Sequence, residues 1–200
     1  MTKNSKLLKV LVVLALFGSQ NIALAQQFNQ KFDTKNHPKA KGVWAQVSYP
    51  DGWVAKEGQR PNIVQLITGK QDGVDVQLHL QIRDVGEDIE KECANTSETE
   101  WNEAFTNKDA NMAGTNSKKI KIEGKPAFIT DLTAIHQQRV DLKLVMASKQ
   151  MAVCHKKTMV ILWCANFIAG ENIQLAKSNL AKVDNICQLY FNSFVLMDKS

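Results

Sequence analysis

At 200 residues, 44% apolar and 22% charged, the chain has an ordinary globular composition and a length that suits one domain with its own core. Ten Gly and four Pro exclude collagen-like and low-complexity classes. The formal charge of +5 is partly carried by three lysines at the extreme N-terminus, so it does not mark a nucleic-acid-binding face.

Met1 to Ala25 has the three parts of a secretory signal peptide. Lys3, Lys6 and Lys9 form the basic start, residues 10–17 the apolar stretch, and Ala23-Leu24-Ala25 the small residues before a cut expected between Ala25 and Gln26. The uninterrupted apolar stretch is far short of the roughly 20 residues that span a bilayer. No Cys follows the cut for lipid attachment. The expected product is exported, soluble and periplasmic, without a membrane span, and loss of the three lysines lowers its net charge from +5 to +2.

Residues 26–42 are polar and aperiodic and are expected as a flexible N-terminal segment. A single domain is expected over 43–200, opening with a strand over 43–49 that stops at the turn sequence Pro50-Asp51-Gly52 and resumes briefly at Trp53 and Val54. A further strand is expected over 62–68 and a loop over 69–73. Val74, Val76, Leu78, Leu80 and Ile82 then alternate with Asp75, Gln77, His79, Gln81 and Arg83, which describes a strand with one face in the core and one polar. Ser97 and Glu100 have capping-box spacing, so a helix is expected from Glu98 to Met112, with Trp101, Ala104, Phe105 and Met112 toward the sheet and Gly114 as its stop. Strands follow over 119–122, 127–134 and 139–153, with turns at 123–126 and 155–157. Residues 158–168 are almost continuously apolar, as in a central strand covered on at least one face. Ile173, Ala176, Leu180, Val183, Cys187, Tyr190 and Phe194 form a helical stripe, and one closing helix is expected to pack over that strand.

Many strands, short turns and two substantial helices imply an α+β fold, a mainly antiparallel β-sheet layered with helices. The four cysteines, Cys93, Cys154, Cys164 and Cys187, all follow the signal, and an even count in an exported chain favours disulfides. None forms CxxC, so a zinc knuckle or redox pair has no support. Of the three pairings, Cys164 with Cys187 is preferred, because Cys187 lies on the sheet-facing stripe of a helix that covers the strand holding Cys164; Cys93 is then left with Cys154.

The order of elements, together with Ser48-Tyr49-Pro50-Asp51-Gly52-Trp53, Ile122-Glu123-Gly124-Lys125-Pro126-Ala127-Phe128 and Phe191-Asn192-Ser193-Phe194, resembles the PsbP-like superfamily. That group includes the photosystem extrinsic protein, DcrB-like bacterial envelope proteins and adaptor chaperones of secretion effectors. The resemblance implies a PsbP-like α/β/α sandwich over nearly all of the chain after the signal, and a binding or assembly role instead of an enzymatic one. Its motifs are turn and packing residues and bring no catalytic role.

The residues that could carry chemistry have simpler readings. His37, His79, His136 and His155 form neither HxH nor HExxH and read as solvated. Adjacent Cys154 and His155 do not make a nucleophile and its base, and GxSxG is absent. Asp72, Asp75, Asp84, Glu87 and Asp88 lack calcium-loop spacing and read as strand ends and caps, while Lys118-Lys119-Lys121 and Lys156-Lys157 read as solvated strand ends. Asn95-Thr96-Ser97 matches a glycosylation acceptor by accident of the helix cap. Trp101 and Trp163 read as core. Trp44 and Trp53, flanking the Pro50 corner, read as packing residues, with an interaction patch as the functional alternative. No catalytic, cofactor-binding or metal-ligating residue is assigned. The expected function is a non-enzymatic periplasmic protein-binding module whose partner is a secreted toxin, making it an immunity protein, or a resident envelope complex, making it an accessory factor. A metal-dependent hydrolase assembled only in space from His79, His136 and His155 is the reading from a different class.

Overall fold

A computed structural model describes residues 27–107, 111–139 and 142–197. The expected signal peptide and its cut at Ala25 and Gln26 lie outside these residues. Among them, no helix is long and apolar enough to cross a membrane.

The main sheet has seven antiparallel strands: β3 (Val54–Lys56), β4 (Ile63–Gln71), β5 (Val74–Asp84), β6 (Met112–Ile122), β7 (Lys125–Arg139), β8 (Leu142–His155) and β9 (Thr158–Ala169), in the order β3-β4-β5-β9-β8-β7-β6. A smaller sheet joins β1 (Gln30–Asp33), β2 (Ala45–Tyr49) and β10 (Val195–Leu196) in the order β1-β2-β10. The helices are α1 (Ile89–Asn95), α2 (Glu98–Ala104), α3 (Ile173–Lys182) and α4 (Asp184–Asn192). The result is the expected α+β layering of helices on antiparallel sheet.

The alternation read in β5 sets the inner face. Val74, Val76, Leu78, Leu80 and Ile82 are buried in the main core with Val160, Leu162 and Cys164 of β9 and with Ala176, Leu180, Val183, Ile186, Cys187 and Tyr190 of the closing helical segment. Ala45, Val47 and Leu196 of the small sheet complete this core. On the opposite face, Met159, Ile161 and Trp163 of β9 meet a second cluster built from Cys93, Trp101, Phe128 and Cys154. Apolar residues at successive positions of β9 are thus required by cover on both faces.

Several expectations are corrected. The 26–42 segment, read as flexible, instead contributes β1, whose Phe32 stands opposite Val47, and a 3-10 turn at Pro38–Ala40. The helix expected over 98–112 stops at Ala104. Thr106 returns its hydroxyl to the Asn102 carbonyl, and Asn107 pairs with Met112 through both backbone bonds, so the chain turns into β6. Gly114 is therefore no helix stop: it lies in β6, where a Cβ would come within 2.8 Å of the Phe105 Cβ, and its bareness lets α2 approach the strand. The break expected between 134 and 139 is absent, because β7 runs through to Arg139. The single closing helix is two, α3 and α4, bent at Val183, whose N–H bonds the Leu180 carbonyl three residues back.

Gly69 of β4 packs beneath the Trp53 ring, and a Cβ there would fall within 2.1 Å of it. Gly69→Ala is expected to cost about 1–3 kcal/mol by overpacking, seen as a Tm lower by several degrees in a thermal melt. An unchanged melt would show that Trp53 moves aside freely.

Candidate functional site

One end of the sheet gathers the Glu123-Gly124 turn of the β6–β7 hairpin, the Lys156-Lys157 turn of the β8–β9 hairpin and the start of α1. They enclose a groove of about 1150 Å³ with apolar surface from Ala94, Ile120 and Pro126. Its rim carries Lys91, Lys119, Lys121, Lys156 and Lys157 against Glu87, Asp88 and Glu90. The two lysine clusters read separately as solvated strand ends are therefore neighbours in space.

Carboxylates of the chain hold the groove together. Glu90, in the first turn of α1, accepts the backbone N–H of Lys156 at 3.1 Å and the ammonium of Lys125 at 3.1 Å, tying α1 to both hairpin ends. Burial by itself would raise the Glu90 pKa, but these donors outweigh it and hold the carboxyl below its ordinary range. Glu87 meets the Lys157 ammonium at 2.5 Å. The Lys119 ammonium crosses to α1 and donates to the carbonyls of Ala94 and Thr96, at its C-terminal end. Among the described residues, the ammonium groups of Lys91, Lys121 and Lys156 have no carboxylate within ion-pair distance.

The second helix guards the edge strand that leads into the groove. Its capping box is present, with Ser97 accepting from the Glu100 N–H and Glu100 from the Ser97 N–H. One turn apart along α2 and just past its end, Glu98, Asn102 and Thr106 accept the N–H groups of Lys119 at 2.8 Å, Ser117 at 3.3 Å and Gly114 at 3.3 Å. These are outward-facing donors of β6 that no strand pairs. Trp101 fastens the same helix to the sheet, stacked on Phe128 at 4.1 Å between centroids and donating its indole N–H to Thr130.

The structure joins Cys93 to Cys154, with Cα atoms 6.5 Å apart, and Cys164 to Cys187, 5.3 Å apart. The first bridge fixes α1 to β8 beside the groove. Trp53, read as a packing residue with an interaction patch as the alternative, is only 9% exposed, with its ring against Gly69. Trp44 is half-buried, its indole N–H bonded to Asp33 and its ring beneath the Lys35 ammonium. The solvated reading of the histidines holds for exposed His136 and fails for His155, which ends β8 fully buried. His37 caps the 3-10 turn by accepting the Lys39 N–H. His79 lies half-buried against Trp163, with nearly parallel rings. Among the described residues, no group of three His, Cys, Asp or Glu side chains is placed to hold a metal ion.

Burial, and then the Arg60 charge, push the His79 pKa down to about 4. An unfolded histidine near pH 6.5 binds the proton more readily, so stability present above that pH is lost as pH falls toward 4, on the order of 3 kcal/mol in all. Urea melts at pH 7 and pH 4 are expected to differ less in His79→Gln than in the parent; an equal difference would remove His79 from the pH response. Cys93→Ala with Cys154→Ala is expected to cost about 4 kcal/mol from the closed loop, by denaturant titration, and a loss below 1 kcal/mol would mean that α1 stays docked without its bridge.

No protein-family model matches the chain, and no curated protein sequence matches it. Among solved structures, it is similar to the cyanobacterial PsbP of Synechocystis sp. PCC 6803, with 10% identity, TM-score 0.50, and 84% of this chain and 91% of that one covered. It is also similar to the PA94 protein of Pseudomonas aeruginosa, with 12% identity, TM-score 0.49 and coverage of 85% and 99%. The Ran-binding protein Mog1p of Saccharomyces cerevisiae matches with 10% identity, TM-score 0.49 and coverage of 84% and 96%. The fold of this chain is the PsbP-like fold that its turn and packing residues resemble.

Proposed function

We propose that the protein is an exported, periplasmic, non-enzymatic binding module that engages another protein through the lysine-rimmed groove. The signal-like residues 1–25 and the disulfides support export to an oxidising compartment. The observation that carries the binding role is the groove: its walls are braced by Glu90 and the Cys93–Cys154 bridge, yet the ammonium groups of Lys91, Lys121 and Lys156 have no carboxylate within ion-pair distance among the described residues. Its charged groups are ammoniums and carboxylates, which hold a complementary surface and steer its approach. The partner is a protein met in the envelope, either a toxin that the module neutralises or a resident complex that it helps assemble.

Affinity capture from whole-cell and secreted fractions, with the oxidised protein and its Lys91→Glu, Lys121→Glu, Lys156→Glu triple variant side by side, tests this. These side chains are exposed, so the variant is expected to fold as the parent does and to lose the parent's stoichiometric partner. A secreted toxin in the lost band supports the immunity role, and an envelope complex the accessory role. A partner held equally by both proteins would sink the groove as the docking surface.

A further inference from the structure

The groove opens where α2 stops guarding β6. In the β6–β7 hairpin, Ile122 stands opposite Lys125 across a two-residue turn, and Lys121 opposite Pro126. Backbone donors alternate along an antiparallel edge, inward to the partner strand and outward to its surroundings. The Lys119 N–H is outward, since Glu98 accepts it. Lys121, two residues on, has the same sense, and Pro126 across from it has no N–H to exchange. The series of side-chain acceptors on Gly114, Ser117 and Lys119 ends there, because α2 begins at Glu98. The Lys121 N–H therefore faces the groove, beside its own exposed ammonium and those of Lys91 and Lys156.

The same region shows what such donors accept. Glu98 places a carboxylate on the Lys119 N–H, and Glu90 places one on the Lys156 N–H while meeting the Lys125 ammonium. In both cases a carboxylate takes the backbone donor of a lysine, and Glu90 adds an ammonium to it; a charged acceptor makes such a bond stronger than a neutral one. We propose that the groove receives an extended acidic peptide segment of the partner, which runs along β6 with one carboxylate on the outward N–H of Lys121 and its neighbours against Lys91 and Lys156. This rests on the groove being the docking surface proposed above. Charge complementarity selects the occupant: the edge lysines repel a basic strand and leave an apolar one with buried, unmatched ammoniums.

The probe is an acetylated, amidated hexapeptide of alternating Glu and Val, with its Lys–Val counterpart and inorganic phosphate at matched ionic strength as controls. In amide NMR spectra of the oxidised protein, the acidic peptide is expected to move the Lys121 N–H among the largest shifts, while the basic peptide leaves it unmoved. Lys121→Pro removes both side chain and donor, and Lys121→Ala the side chain alone; the Pro variant is expected to bind about tenfold more weakly than the Ala variant, since the donor serves a charged acceptor. Equal affinity of the two variants, both folded by circular dichroism, would overturn the inference. So would an unmoved Lys121 amide in the parent, a measurement that decides alone if the Pro variant does not fold. Phosphate that displaces the peptide and moves the same amide equally would also overturn it, leaving a simple anion site. If the triple variant loses its partner while the peptide leaves Lys121 unmoved, only this inference falls; if the triple variant keeps its partner, the docking reading falls first.

Discussion

The burial of β9 on both faces is the constraint from which the rest of the architecture follows. Val160, Leu162 and Cys164 point to one side of the sheet, Ile161 and Trp163 to the other, and neither set can be left to water without losing on the order of 2 kcal/mol per large side chain. Cover must therefore come from two directions. On the inner face it comes from α3, α4 and the small sheet, which form a large core. On the outer face it comes from two seven-residue helices, too short to be stable by themselves, which need Trp101 against Phe128, the Thr130 hydrogen bond and the Cys93–Cys154 bridge to stay in place.

The short outer helices also solve the edge problem of β6. A long edge strand beside an aqueous compartment invites unwanted pairing, and here Glu98, Asn102 and Thr106 occupy its outward donors while Lys118, Lys119 and Lys121 charge it. The guard spans only as much of β6 as two turns of helix can reach. Beyond Glu98 the chain folds back through Ser97 to α1, and the uncovered end of the strand becomes one wall of the groove. The groove is thus a product of covering a long strand with a short helix.

Legibility in the sequence followed how local each cause is. The β5 strand, the apolar β9 strand and the Ser97–Glu100 cap depend on spacing within one element, and they stand in the structure where their residues placed them. The β1 strand was not legible because Phe32 is its only apolar residue and its order comes from pairing with β2. The α1 helix turns only Ile89 and Cys93 inward, so its reason to exist lies in Glu90 and a bridge to a cysteine 61 residues away. The bend at Val183 preserves the hydrophobic stripe through both helices, which is why the periodicity read as one. The groove was invisible for a related reason: Lys91, Lys121 and Lys156 belong to three separate segments, and only the register of β6 with β7 and β8 with β9 brings them to one rim.

The two disulfides then have unequal consequences. Cys164–Cys187 lies within the main core, between a strand and a helix that already share Leu162, Ile186 and Tyr190 as buried neighbours, so much of that contact persists on packing alone. Cys93–Cys154 lies in the thin outer cluster, where few other buried side chains hold α1 down. Its loss frees the helix that carries Glu90 and Lys91, while the large inner core keeps the sheet. The geometry of the groove therefore depends on the oxidised state more steeply than the fold does.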